Sequence, residues 1–241
     1  MVAIARKELQ QFFSSFGGYI ALLLFLLLNA LYLFVLRDSN VFDLGYATLE
    51  PFFSLAPWVF IFLIPSIAMR SFSEEFKGGT FELLKTFPLS DWQVVLGKYI
   101  AVVLVVVLAL LPTVAYPYII SALTADTGID TGAIIGSYIG LVLLGAVFAA
   151  ISVWCSTLSS NSVVAFLLGA FMCLLLYYGF SALSKIPVFT GNADYYIEMM
   201  GIDLHYQNIS RGVVDTRDIV YFLSLIVLFL FASRQNIRSH E

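Results

Sequence analysis

Apolar residues in this chain gather into long unbroken blocks, separated by short stretches rich in charge, glycine and proline. A bilayer crossing takes roughly 17–25 residues of that kind. Six blocks meet the requirement, near Gly17–Leu36, Phe52–Met69, Gly97–Leu123, Gly132–Leu158, Val163–Leu183 and Asp218–Ser233, the last being the shortest. Pro57, Pro65, Pro112 and Pro117 fall inside the second and third spans, where they predict kinks or unwound turns. The span cores hold no Lys, Arg, Asp or Glu, which argues against a charge-driven pump.

Ahead of the first span, Ala5, Leu9, Phe12, Phe13 and Phe16 recur at helical spacing opposite Arg6, Lys7, Glu8, Gln10 and Gln11. That pattern fits an amphipathic helix lying in the membrane interface, and equally the basic flank of a first span. No small-residue cleavage pattern follows the first apolar run, so a cleavable signal is not expected.

Composition agrees with the pattern. Of 241 residues, 61% are hydrophobic and 12% charged, with mean hydropathy +0.95, against about 25% charge in ordinary soluble domains. A cytosolic enzyme, a disordered chain and a disulfide scaffold are thereby excluded. The net charge of −4 gives no nucleic-acid footprint. Cys155 and Cys173 both lie in apolar blocks and suggest neither a disulfide framework nor a metal site.

Loop cations set the expected orientation. With the N-terminus inside, the inner pieces carry Arg6, Lys7, Arg70, Lys77, Lys85, Lys98, Arg234 and Arg238. The outer pieces carry Arg37, Lys185, Arg211 and Arg217. The excess places both termini in the cytoplasm.

Two loops carry candidate function. Between spans two and three, Ser71 with Glu74 predicts a capping box, Gly78 and Gly79 a break, and Thr80 the cap of a second short helix that Pro88 ends. Ser90 with Gln93 predicts another capping box at the start of span three. This small helix-turn-helix would expose Glu74, Glu75, Lys77, Glu82 and Lys85 beside Phe76 and Phe81. Charge beside exposed aromatics suits a docking knob, and a solvated connector would have the same composition.

Between spans five and six, residues 184–216 contain Tyr195, Tyr196, Met199, Met200, Tyr206 and Arg211, too apolar for a bare loop. They predict two short amphipathic helices, one ending at Gly201 and one running to Arg211 and Gly212. These would dip into the outer interface or touch an extracytoplasmic partner. Asp215 and Asp218 then open the last span with acidic charge.

Other sites fail on their spacing. His205 and His240 are the only histidines and lie far apart, so no zinc cluster is expected. Gly136-Ser137 lacks a histidine base in any span and reads as packing, as do Gly132, Gly140 and Gly145. No Gly-x-x-x-x-Gly-Lys-Ser/Thr occurs, so the chain is not itself expected to hydrolyse ATP.

These pieces together resemble the membrane subunit of type-2 ABC exporters. The resemblance is carried by Arg70, Ser73-Glu74-Glu75, Gly79-Thr80-Phe81-Glu82-Leu83-Leu84, Pro88-Leu89-Ser90 and Lys98, together with the order of the six spans. The stretch from Arg211 to Ser224 is similar to the branch holding nitrous-oxide-reductase maturation and gliding-motility permeases. The resemblance implies a single all-α domain over 1–241: an elbow helix (1–16, with Arg6, Lys7, Leu9, Phe12 and Phe13), six spans, coupling helices at 70–90 and outer helices at 184–216. It implies ATPase docking through Glu74, Glu75, Phe76, Lys77, Gly79, Thr80, Phe81, Glu82 and Leu84. It further implies two copies of a separate GldA-like ATPase that bind ATP and Mg, with no cofactor in this chain. A second permease chain, identical or a larger GldG-like subunit, would pair with it in a bacterial inner membrane among lipids. An anchor subunit without ATP coupling is the competing reading, and an intramembrane enzyme lacks converging catalytic groups.

Overall fold

The computed structural model describes residues 1–36, 48–85, 89–123, 130–186, 192–212 and 215–239. Arg37, Pro88 and His240, all named above, lie outside the described residues, as do the side chains of Leu83, Leu84 and Lys85. Every regular element among the described residues is helical. Among the described residues six helical runs are long and apolar enough to cross a membrane: Phe16–Phe34, Glu50–Gly78, Asp91–Ala122, Thr131–Thr157, Ser162–Ser184 and Thr216–Arg238.

In chain order, α1 (Val2–Ser14) precedes α2 (Phe16–Phe34), α3 (Glu50–Ala68), α4 (Arg70–Gly78), α5 (Thr80–Lys85) and α6 (Asp91–Leu110). A 3-10 turn over Leu111–Val114 leads into α7 (Ala115–Leu123), followed by α8 (Thr131–Thr157) and α9 (Ser162–Leu174). A π-helical turn over Leu175–Gly179 joins α9 to α10 (Phe180–Ser184). The last three are α11 (Asn192–Glu198), α12 (Ile202–Ser210) and α13 (Thr216–Ser239).

The order of spans puts α1, α4, α5 and the end of α13 at one end of the bundle and α11 and α12 at the other. Helix α8 is the centre, with α3, α6, α9, α12 and α13 packed on it. Its residues from Leu144 to Val153 are buried in an unbroken run. The first, fifth and sixth spans instead expose most of their apolar surface, including Leu23, Leu27, Leu167, Phe171, Val227 and Leu228. Large apolar surface of that extent matches a hydrocarbon surround.

In such a medium each polar group needs a partner inside the protein. The hydroxyls of Ser152, Ser156 and Thr157 donate to Phe148, Val153 and Trp154 carbonyls one turn back in α8. The proline prediction holds at span three. Pro117 has no N–H to offer the Thr113 carbonyl, and the Tyr138 hydroxyl donates to that oxygen at 2.8 Å. Pro57 and Pro65 lie within a continuous α3.

Candidate functional site

Helices α4 and α5 are held together by aromatic contact. The ring centroid of Phe76 stands 5.0 Å from Phe81 and 6.1 Å from Phe72, edge-on and stacked respectively. Gly79 ends α4 in the left-handed region at φ 65°, where a side chain would be strained. Ser90 and Gln93 form both halves of the predicted capping box on α6.

The exposure expected of this loop needs correction. Phe81 is 7% exposed and Phe72 fully buried, so the aromatics face inward and hold the two helices to each other. Glu74, Lys77, Gly79, Thr80 and Glu82 line the open surface, with Glu74 also paired to Arg70 at 3.2 Å. Ser71 caps nothing. The chain passes from α3 through a helical Met69 into α4, and Ser71 is buried with its carbonyl turned to Lys98.

Glu75 also turns inward. Its carboxylate spans two lysines, Lys98 Nζ at 3.0 Å and Lys7 Nζ at 3.3 Å. Lys98 is 1% exposed, the reverse of its expected place among loop cations. Its ammonium donates to Glu8 at 2.8 Å and to the Ser71 carbonyl, and stands 4.8 Å from the Phe72 ring centre. Such a charge is tolerable out of water only when paired and hydrogen-bonded. One ammonium thus ties α1, α4 and α6 together.

Helix α1 is amphipathic, and Glu8 faces this network instead of the polar side assigned to it. Ile4 and Ala5 are buried, Leu9, Phe12 and Phe13 half-buried, and Arg6 and Lys7 exposed. Close approach to α6 is possible because position 97 is glycine: a Cβ there would meet Ile4 Cβ at 2.8 Å. The hydroxyl of Ser73 reaches Ser162 at 3.2 Å, and Arg238 reaches Asp91 at 3.1 Å, so α4 and α13 are joined to neighbouring spans at the same end.

At the opposite end, α12 lies on the glycine face of α8. A Cβ at Gly136 would meet the Ile209 carbonyl at 2.9 Å, and one at Gly140 the Ile209 side chain at 3.2 Å. Tyr206, expected at an outer contact, is buried with its hydroxyl donating to the Phe53 carbonyl at 2.7 Å, and burial pushes its phenol well up. Tyr195, Tyr196, Met199, Met200 and Arg211 are exposed.

His205 joins α12 to α13: Nδ1 stands 2.6 Å from Asp218 Oδ1, Nε2 stands 2.9 Å from the Met199 carbonyl, and the ring stacks on Tyr221 at 3.9 Å. Both ring nitrogens face oxygen acceptors. Nothing in the spacing of the two residues announces the pair.

Six apolar helices round a buried centre, with short helices at both ends, define a multi-pass membrane protein. Residues 42–233 match the profile of the ABC-2 family transporter proteins, and the chain belongs to that family. It is therefore a membrane permease component of an ABC transporter, not itself the ATPase, and the family works with a partner ABC ATPase. No curated protein matches the chain significantly.

Proposed function

We propose that the chain couples ATP hydrolysis by a separate ATPase to movement of its spans, with α4 and α5 as the docking element and α1 as an elbow helix. The observation that carries this reading is the Lys98 network. Because Lys98 holds Glu75 of α4 and Glu8 of α1 at once, a push on α4 is passed to the elbow helix and the third span together. Glu74, Lys77, Gly79, Thr80 and Glu82 face outward to meet the ATPase. Glu75, Phe76 and Phe81 position that surface.

Two permease chains and two ATPase copies make the working unit, in a bacterial inner membrane with both termini in the cytoplasm. The excess of cations at the α4 end supports this orientation. The Arg211–Ser224 stretch supports a GldF-like role in gliding motility, with GldA-like and GldG-like partners. Exposed Tyr195, Tyr196, Met199 and Met200 face the extracytoplasmic domain of the second subunit.

The test is recovery of partners from native membranes in mild detergent. The wild-type chain should bring a P-loop ATPase and a second membrane subunit. Reversing Lys77 and Glu82 together (K77E/E82K) should lose the ATPase while the permease stays monodisperse. Recovery of the chain alone under several gentle conditions would sink the coupling reading in favour of a membrane anchor.

A further inference from the structure

Helix α3 begins at Glu50, α8 follows Asp130, and the fifth span ends beside Lys185, all at the end of the bundle away from α4. Between these ends and α12 lies a cavity of about 740 Å³, within the range of small-molecule sites, roughly 300–1,000 Å³. Tyr177, Tyr206 and Ser137 form its buried wall, and half-buried Asp203 faces it from α12. Trp58 and Tyr178 stand on its open side, and Lys185 and Arg211 at its mouth together with the carboxylates of Glu50 and Asp130, the latter engaged as the cap of α8 by the Ala133 N–H. The π-helical turn delivers Tyr177 and Tyr178 in succession, a local irregularity often found at functional sites.

Charge narrows the occupant. Asp203 accepts from Gln207 at 3.0 Å and from Ser181 at 3.4 Å, and has no cationic partner among the described residues. The Trp58 ring stands 6.0 Å from Tyr177 and 5.4 Å from Tyr178. A carboxylate beside aromatic faces suits an ammonium group. Lys185 and Arg211 likewise have no acidic partner among the described residues, and two such cations suit a phosphate.

Shape narrows it further. One turn deeper than Trp58 on α3 is exposed Phe62, and one turn deeper than Tyr178 is exposed Leu174. The polar mouth thus continues into apolar outer faces at hydrocarbon depth. A soluble zwitterion or a glycan has no use for that second part; a lipid does.

We propose that this cavity binds the headgroup of a zwitterionic glycerophospholipid bearing a phosphoethanolamine-type head. The ammonium sits on Asp203 among Trp58 and Tyr177, the phosphate on Lys185 and Arg211, and the acyl chains lie along Phe62 and Leu174. The site stands apart from ATPase coupling, so its failure leaves that reading intact.

Native mass spectrometry of the purified chain, supplied with equal phosphatidylethanolamine and phosphatidylglycerol, tests the proposal. The ethanolamine lipid should be retained about tenfold better, and Asp203→Asn should abolish that preference. Arg211→Gln, an exposed substitution that leaves the core alone, should lower retention of both lipids by about tenfold. Thermal unfolding of each variant reports whether α12 remains in place. Equal retention of the two lipids by the wild type, a preference that survives Asp203→Asn, or unchanged retention in Arg211→Gln overturns the proposal. So does displacement of the lipid by an equal concentration of free phosphoethanolamine, which would assign the site to a soluble ligand.

Discussion

Lys98 on α6 and Glu75 on α4 stand 3.0 Å apart, and the lysine is all but sealed from solvent. Breaking a buried pair from one side strands a charge, which costs about 3–5 kcal/mol. Lys98→Met strands Glu8 and leaves Glu75 with Lys7 alone, and should lower the unfolding temperature in detergent substantially. Glu8→Gln, which leaves Glu75 on the lysine, should lower it by distinctly less. Equal small effects from both would mean that the network does not hold the helices.

Gly136 marks a contact between backbones. A side chain there meets the Ile209 carbonyl and Gly212 Cα, neither of which can rotate away. Gly136→Val should cost about 1–3 kcal/mol by overpacking. Amide exchange should rise selectively in α12, and unchanged protection there would place α12 elsewhere.

The His205–Asp218 contact fixes α12 to the start of α13. A charged hydrogen bond of this kind is worth about 1.5–3 kcal/mol. In a double-mutant cycle, His205→Gln and Asp218→Asn should each destabilise, and the pair should cost much less than the sum. Additive losses would show that the two residues act independently.

Asp215 caps α13 from outside the span, accepting from the Arg217 backbone N–H at 3.0 Å, and that bond holds its carboxyl below the usual 3.8. The folded value being the lower one, the cap is at full strength above the ordinary carboxylate range. It is lost as pH falls through the folded value. The side-chain carbon resonance of Asp215 should titrate below that of a free aspartate, and titration at or above 3.8 would contradict the cap.

Cys155 and Cys173 are buried in spans four and five. Neither should react with a membrane-impermeant maleimide until the protein is denatured, when both should react. The wild-type chain is then a silent background for surface labels.

What could be read from the sequence was whatever repeats along one helix. The six spans, the Ser90–Gln93 box, the glycine ending of α4 and the glycine face of α8 all follow from spacing and local backbone chemistry. What could not be read was set by helices meeting far apart in the chain. Lys98 counts as a loop cation until Glu8, 90 residues earlier, and Ser71 close over it. Phe81 looks like an exposed anchor until Phe72 and Phe76 occupy the same corner. Ser71 and Glu74 spell a capping box, yet a helical Met69 lets α3 run on and leaves no N-terminus to cap. Asp218 was legible as acidic charge at a helix start, whereas its partner His205 was not.

The central claim is that force on α4 reaches the spans through Lys98. With spin labels at Arg70→Cys, exposed at the start of α4, and Gln207→Cys on α12, the distance between the two ends can be measured in the assembled complex, with and without ATP. The account predicts that ATP shifts the distance distribution with Lys98 present, and that the shift is lost with Lys98→Met in complexes that still hold the ATPase. An unchanged distribution in the wild type, or a full shift without Lys98, would contradict it.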